Sequence, residues 1–335
     1  MAMNGGRLVH GGDLELAESR FGRPDRGWLD LSTGINPIAY PLPALAPERW
    51  TRLPGSDAGL RAAAAQAYGV GDARLVVPAP GAQALIQLLP ALRRDAAVAI
   101  LVPTYEEHQA AWTALGHRVR AVETIDRAAE AEIVVLVNPN NPDGRLVPVD
   151  RLLQLADDLA KRGGLLVVDE SFADTMPLAS LAPHAGRPGL LVLRSFGKFF
   201  GLAGLRLGFA LAEAGLAADL RRRLGPWAVN GPAMAIAEAA LLDDHWIAAT
   251  RMRLNADAKR LDTLLTAAGA TVLGGTPLFR LCETAKAEAL FDHLGRQGIL
   301  VRTFPAFPRR LRFGLPGAEP QWRRLLDAFE SWNKS

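Results

Sequence analysis

Residues Ile133 to Glu170 read IVVLVNPNNPDGRLVPVDRLLQLADDLAKRGGLLVVDE, and this segment points to one fold class. The apolar run Ile133 to Val137 predicts a buried strand, and Leu165 to Val168 predicts a second one. Between them, Val149 to Lys161 repeats apolar residues with the spacing of a helix. Two buried strands joined through a helix indicate parallel neighbours in one sheet.

The same alternation of strands and helices extends outward from this segment, from about residue 60 to residue 211. Further strands are predicted at Arg74 to Val77, Ala97 to Val102, Leu190 to Leu193 and Leu205 to Leu211. Further helices are predicted at Asp57 to Tyr68, Ala82 to Leu92 and Tyr105 to Leu115. We therefore expect an α/β protein with a mostly parallel central sheet that binds its ligand at the carboxyl ends of the strands.

The pattern changes after Pro232, where two helices are predicted at Pro232 to Leu242 and His245 to Ala268. Short strands and helices follow, which is typical of a smaller α+β domain. The first forty-odd residues are rich in Gly and Pro and too irregular for a domain. We expect an N-terminal arm over residues 1–45 that packs with the small domain, a large domain over 46–228 and the small domain over 229–335.

Composition excludes several classes of protein. The chain has 335 residues, 49% of them hydrophobic and 22% charged, so it is neither disordered nor collagen-like. Its net charge of +3 gives no argument for nucleic acid. No apolar run is long enough for a membrane helix, and the N-terminus lacks the apolar core of a signal peptide. We expect a cytoplasmic protein without a membrane partner.

The single cysteine, Cys282, permits neither an internal disulfide nor a cysteine-based zinc site, and we predict no metal centre. Cys282 follows the apolar stretch Pro277 to Leu281, so we interpret it as a core thiol. Among 38 basic residues only five are lysines. One of them, Lys198, lies amid Gly and aromatic residues, where a bare ammonium group is costly to desolvate.

Polar residues follow the ends of several predicted strands. They are Gly81 to Gln83, Asn138 to Gly144, Asp169 with Glu170, and Ser195 to Lys198, with Arg206 a little further along. A glycine turn that opens a helix offers backbone N–H groups to a phosphate. One ligand would use all of these residues together: a ring with a basic nitrogen, a phenolic oxygen, an aldehyde and a phosphate.

The series Asn138 to Gly144, Asp169 to Phe172, Ser195 to Lys198 and Gly204 to Gly208 resembles the fold type I pyridoxal-phosphate enzymes of the histidinol-phosphate aminotransferase branch. The resemblance runs from about Asp30 to Phe313 in the same order and spacing. It implies the fold type I architecture, pyridoxal 5'-phosphate as cofactor and a homodimer.

The resemblance also implies roles for individual residues. Lys198 would hold the cofactor and carry protons, Asp169 would keep the pyridine nitrogen protonated, and Asn141 would bond the phenolic oxygen and line the substrate pocket. Tyr105 would stack on the ring. The cofactor phosphate would be held by Ser195, Arg206 and the turn of Gly81, Ala82 and Gln83.

For the substrate, the resemblance implies that Arg312 pairs with a carboxylate and that the backbone near Gly34 lines the pocket. Three segments, His10 to Asp13, Asp169 to Phe172 and Gly298 to Arg302, resemble the branch of this family that decarboxylates threonine phosphate for cobalamin biosynthesis. His10 and Arg302 are then candidates for binding the substrate phosphate. The expected reaction converts L-threonine O-3-phosphate to (R)-1-amino-2-propanol phosphate and carbon dioxide.

Two alternatives remain at this point: an aminotransferase of the histidinol-phosphate type, and a catalytically silent cofactor-binding protein, against which Lys198 argues. The chain also departs from the family in three places. Leu53 stands where a tyrosine usually reaches the partner's cofactor phosphate, and Asp143 stands where threonine is usual. Phe172 replaces a tyrosine, which removes a hydroxyl and should raise the importance of Asn141.

Overall fold

The computed structural model describes residues 3–4, 7–8, 10–128 and 130–334, which form two compact units. The described residues up to Ala39, with Pro142–Gly144 and the residues from Ala248 on, make the smaller unit. Tyr40–Asn141 and Arg145–Ile247 make the larger one. Within the described residues, no helix is both long and apolar enough to cross a membrane.

The larger unit is built on a seven-stranded sheet. In spatial order its strands are Val76–Ala79, Gly208–Ala212, Leu190–Ser195, Leu165–Asp169, Ile133–Val137, Ala97–Leu101 and Arg118–Val122. Gly208–Ala212 is antiparallel to both of its neighbours, and the other neighbouring pairs are parallel. The predicted α/β class with a mostly parallel sheet is therefore confirmed.

Helices accompany this sheet in the larger unit, and several of them pack against its strands. They are Glu48–Thr51, Ala58–Tyr68, Ala82–Leu88, Glu106–Ala114, Val149–Ala160, Phe196–Phe199, Ala214–Leu224 and Gly231–Leu241. The strand Ile133–Val137 is buried at all five positions, which explains its unbroken apolar sequence. Val149–Ala160 buries Leu152, Ala156 and Leu159, which lie on one helical face.

The edge strand Arg118–Val122 is not predicted by the sequence. Its residues alternate between arginine and small apolar side chains, and only Val122 is buried. Charged edge strands of this kind discourage pairing with another chain. The apolar pattern is too weak there for a strand to be recognised, because one side of the strand has no partner to pack against.

The smaller unit has a four-stranded antiparallel sheet in the order Thr271–Thr276, Phe279–Glu283, Arg310–Gly314 and Arg302–Thr303. Two short strands, Leu29–Asp30 and Ile299–Leu300, pair in parallel, and Met3–Asn4 pairs with Arg7–Leu8. The helices are Leu14–Phe21, Asp244–Ala267, whose first four residues belong to the larger unit, Ala287–Arg296 and Glu319–Asn333. Cys282 is fully buried, and burial raises the pKa of its thiol to about 12, which confirms a core thiol.

The unit boundaries differ from the domain limits that we expected from the sequence. Residues 40–45 and 229–247 lie in the larger unit. The reason is local packing: the helix Gly231–Leu241 lies against Ala58–Tyr68, and the Tyr40 N–H donates to the Phe200 carbonyl oxygen. Residues 1, 2, 5, 6 and 9 of the expected arm lie outside the described residues, and the rest of the arm contains the helix Leu14–Phe21.

Candidate active site

Asp169 ends the central strand Leu165–Asp169 and is buried. Its Oδ2 lies 3.1 Å from Nε2 of the buried His108, and its Oδ1 accepts from the Ser171 N–H at 2.9 Å. Burial opposes ionisation, but the bond and charge of His108, the nearby Lys198 and the Ser171 bond outweigh it and lower the pKa of Asp169 to about 2. The carboxylate is therefore held in its charged form at neutral pH.

Lys198 lies in the short helix Phe196–Phe199, directly after the neighbouring strand Leu190–Ser195. Its Nζ is 4.3 Å from the centre of the Phe172 ring, which is itself buried. An aromatic face attracts an ammonium group through the ring quadrupole. The structure thus brings Lys198, Asp169 and Phe172 together at the carboxyl ends of two adjacent strands.

A buried ion network ties the same two strand ends together. Arg194 donates to Glu170 at 2.9 Å and to Asp174 at 2.6 Å, and the side chains of all three residues are almost fully buried. Glu170 directly follows Asp169, and Arg194 directly precedes Ser195. Because a buried ion pair holds its geometry strongly, this network fixes the spacing of the two strand ends.

A second group of residues surrounds the turn at Gly81. Gly81 has a positive φ of 90°, and a Cβ at this position would lie 3.0 Å from Nη2 of Arg206. Gly208 pairs with Ser195, and a Cβ there would overlap the Ala82 backbone nitrogen. The glycines therefore let the guanidinium of Arg206, the Ser195 strand end and the first turn of the helix Ala82–Leu88 approach one another closely.

Tyr105 and His108 lie at the start of the helix Glu106–Ala114. Tyr105 Oη donates to Oε1 of Gln83 at 3.2 Å, and its ring meets the His108 ring edge to face at 6.2 Å. Tyr105 is thereby joined to both the Gly81–Gln83 turn and the Asp169 carboxylate. Sequence reasoning singled out Tyr105 but not His108, although a spacing of three residues on a helix places both on one side.

The loop after the strand Ile133–Val137 contains three asparagines that differ in burial and in hydrogen bonding. Asn138 exchanges two hydrogen bonds with the backbone of Val147, and Asn140 donates to the Pro103 carbonyl oxygen at 2.9 Å. Both asparagines are buried, whereas Asn141 is half-buried at the tip of the loop. Asn138 and Asn140 therefore shape the loop, and Asn141 is the most exposed of the three.

The remaining predicted residues, those assigned to the substrate, lie in the smaller unit. Arg312 is buried and donates to the Ser32 carbonyl oxygen at 2.9 Å. Arg302 lies directly opposite it on the adjacent strand. Burial and then the neighbouring Arg302 lower the pKa of Arg312 to about 9. Gly34 is buried two residues beyond Ser32, and His10 is exposed at the start of a turn that contacts Ser32.

The larger unit offers a donor set that fits pyridoxal phosphate. A buried carboxylate with a low pKa suits a protonated ring nitrogen, and the half-buried Lys198 suits an aldehyde. The Gly81 turn faced by Arg206 suits a phosphate. Tyr105 offers an aromatic face, and Asn141 offers an amide.

The chain is similar to several known proteins. Residues 37–329 match the family model described as aminotransferase class I and II. The threonine-phosphate decarboxylase of Pseudomonas aeruginosa is 48% identical over 321 residues, covering 95% of this chain and 96% of that protein. The threonine-phosphate decarboxylase of a Sinorhizobium species is 45% identical, covering 96% of this chain and 97% of that protein.

A solved structure shows the same fold at lower sequence identity. Histidinol-phosphate aminotransferase from Sinorhizobium meliloti, solved in complex with pyridoxal-5'-phosphate, superposes with a TM-score of 0.79 and 21% identity. The match covers 97% of this chain and 95% of that one. Since the family model matches most of the chain and both relatives align over nearly their full length, this chain belongs to the class I and II aminotransferase family.

Proposed function

We propose that the protein is a pyridoxal-phosphate-dependent lyase that decarboxylates L-threonine O-3-phosphate to (R)-1-amino-2-propanol phosphate, as a step of cobalamin biosynthesis. The observation that carries this proposal is the similarity to two threonine-phosphate decarboxylases, which spans 95% and 96% of the chain. Relatives this similar over their full length commonly share a reaction, whereas a shared fold alone does not fix one.

The cofactor would be held by residues of the larger unit. Lys198 would hold it through Nζ, Asp169 would face its ring nitrogen, and Asn141 would bond its phenolic oxygen. Tyr105 would stack on the ring. The phosphate would be bound by Ser195, Arg206 and the backbone of Gly81, Ala82 and Gln83.

When bound, pyridoxal phosphate supplies an electron sink for the pair of electrons that a departing carboxyl group leaves behind. Asp169 keeps the ring nitrogen protonated, because its low pKa makes it an anion and His108 holds that anion in place. Lys198 moves protons with its Nζ and returns one to the substrate Cα after carbon dioxide has left. The protein's own contribution is thus a fixed negative charge and a mobile proton.

In the smaller unit, His10, Gly34, Arg302 and Arg312 are the candidates for binding the substrate; in the larger unit, the candidate is Asn141. Threonine phosphate carries a carboxylate and a phosphate, so it suits two arginines on adjacent strands. Arg312 offers a planar guanidinium for the carboxylate, and Arg302 with His10 would take the phosphate. Which bond breaks depends on how these groups hold the substrate, since the bond perpendicular to the ring is the one that weakens.

An aminotransferase of the histidinol-phosphate type is the second candidate. It is favoured by the fold similarity to the Sinorhizobium meliloti enzyme, but that match has only 21% identity and supports the fold alone. The two decarboxylases, at 48% and 45% identity, are also more similar to this chain than a histidinol-phosphate aminotransferase of Mycobacterium bovis, which is 34% identical over 351 residues. The decarboxylase is therefore the better-supported function.

A cytoplasmic homodimer is part of the same proposal. Trp50, Leu53 and Trp227 of the larger unit are exposed by 67%, 68% and 58%, and Pro54 and Trp227 line one cavity. Large exposed apolar side chains close together commonly mark an interface. Light scattering should return a native mass twice that of the chain; the mass of a single chain would contradict the dimer.

The reaction is tested with purified protein, pyridoxal phosphate and L-threonine O-3-phosphate in the absence of any 2-oxo acid. We expect carbon dioxide and aminopropanol phosphate in equal amounts, with no ketone product. A parallel reaction contains histidinol phosphate and 2-oxoglutarate. Turnover in that reaction alone would overturn the decarboxylase and favour the aminotransferase.

A further inference from the structure

Every polar atom of Ser32 takes part in a hydrogen bond. It is 2% exposed. Its backbone N–H and its Oγ both donate to Oδ1 of Asp30, at 2.8 and 2.5 Å. Its Oγ accepts from the Gly12 N–H at 2.7 Å, and its carbonyl oxygen accepts from Nη2 of Arg312 at 2.9 Å. A buried residue bonded in this way holds its partners in one arrangement.

The turn at residues 10–12 lies directly against the backbone of Ser32. A Cβ on Gly11 would overlap the Ser32 carbonyl oxygen. This is the same oxygen that the Arg312 guanidinium binds. The turn that begins with His10 and the side chain of Arg312 therefore both contact the same peptide group.

The strand that carries Arg312 is fixed to the same segment by the backbone. The Gly314 N–H donates to the Leu31 carbonyl oxygen at 2.6 Å. Arg302 lies opposite Arg312 on the adjacent strand, an arrangement that places two positive charges side by side. The Asp30 carboxylate favours the charged form of Arg312, which offsets part of this repulsion. Asp30 and Ser32 thus support the arginine pair as well as the turn.

We propose that Ser32, held by Asp30, is a positioning residue that couples Arg312 to the His10–Gly12 turn, so that the carboxylate and the phosphate of the substrate are recognised together. This inference rests on the proposed function. If one residue positions both groups, its loss weakens the binding of ligands that carry only the carboxylate and of ligands that carry only the phosphate. A residue that merely supported Arg312 would affect the first kind alone.

The test is Ser32→Ala, compared with Ser19→Ala, which removes an exposed serine hydroxyl from the helix of the same arm. Ser32→Ala leaves the Gly12 N–H without its acceptor, and one hydrogen bond is worth about tenfold in an equilibrium constant. We expect KM for threonine phosphate to rise about tenfold and kcat to change about twofold or less. The visible band of the bound cofactor and the Tm of the holoenzyme should stay close to those of Ser19→Ala.

Calorimetry on the holoenzyme separates the two halves of the ligand. L-Threonine carries the carboxylate without phosphate, and O-phosphoethanolamine carries the phosphate without carboxylate. We expect Ser32→Ala to raise the Kd of both ligands several-fold, and Ser19→Ala to change neither Kd. Weaker binding of only one of the two ligands, or unchanged Kd values for both, would overturn the coupling.

Asp30→Asn keeps the shape of the side chain and removes its charge, so it provides a second variant if Ser32→Ala does not fold. It should weaken the binding of both ligands to a smaller extent, and an effect on only one of them would again overturn the coupling. The wild-type reaction distinguishes the two proposals. If the wild type releases no carbon dioxide, the proposed function fails; if it does and both ligands bind these variants normally, only the role of Ser32 fails.

Discussion

In the larger unit the buried side chains of Asp169 and Arg194 are bonded to other ionisable side chains, whereas in the smaller unit the buried Arg312 donates to a backbone carbonyl oxygen and lies opposite a second arginine. Asp169 is held by His108 and Ser171, and Arg194 is held by Glu170 and Asp174. By contrast, Arg302 is the cross-strand neighbour of Arg312 and helps to lower its pKa to about 9.

This difference separates the tasks of the two units. Paired charges fix the geometry of a site before a ligand arrives, as a cofactor that is carried through many turnovers requires. Neighbouring charges of one sign repel each other, and an anion that binds both reduces this repulsion. We therefore expect changes in the larger unit to act on cofactor chemistry and changes in the smaller unit to act on substrate affinity.

The largest effect is expected for Asp169→Asn. The amide has nearly the same shape and still accepts from the Ser171 N–H, but it cannot hold the ring nitrogen in its protonated form. We expect the decarboxylation rate to fall about 10³-fold, the size of the loss when a preorganised charge is removed from an active site. The rate is measured by carbon dioxide release at saturating threonine phosphate.

The matched control for this change is Asp158→Asn, at an exposed carboxylate that pairs with Lys161 on a helix surface. Its rate should match that of the wild type, because exposed ion pairs contribute little. The affinity of Asp169→Asn for threonine phosphate should change far less than its rate. A higher KM with an unchanged rate would contradict the assignment of cofactor chemistry to the larger unit.

A smaller effect, on the other side of the comparison, is expected for Arg312→Lys. Lysine keeps the positive charge but cannot donate to the Ser32 carbonyl oxygen and to a substrate carboxylate with one planar group. We expect KM for threonine phosphate to rise about 30-fold, in the range found when a charged hydrogen bond is lost. Cofactor affinity, followed by the visible band, should be unchanged.

Arg310→Lys is the control, because Arg310 lies on the same strand, half-buried, and contacts Glu283 and the Phe307 ring. Its KM should stay within about twofold of the wild-type value, as expected for a partly exposed ion pair. If both lysine variants raise KM equally, the effect belongs to the strand as a whole and Arg312 has no special role toward the substrate.

The α/β class could be predicted from the apolar runs of the sequence, although the fully buried strands Val76–Ala79 and Gly208–Ala212 begin later than predicted. The strand Ile133–Val137 has the bounds that its apolar run predicts, since both of its faces are covered. The edge strand Arg118–Val122 could not be found, because its exposed positions carry arginine. The boundary between the units could not be placed either, because it depends on how the helix Gly231–Leu241 packs.

The candidate site shows the same limit at the level of single residues. Lys198 and Asp169 stand out because each follows an apolar run at a strand end, a position that is readable along the chain. His108 acts through a partner 61 residues away, and Ser32 binds Arg312 across 280 residues. Such pairings form only when the chain folds. Residue type and spacing therefore reveal the candidates for ligand contact more readily than the residues that position those candidates.

The central claim is that the larger unit binds the cofactor through Lys198. It is tested most directly by adding pyridoxal phosphate to the purified protein, reducing with borohydride and mapping the labelled peptide by mass spectrometry. We predict loss of the visible band and one pyridoxyl adduct on the peptide that contains Lys198, with no adduct in Lys198→Ala. An adduct on another lysine, or none in the wild type, would contradict the account.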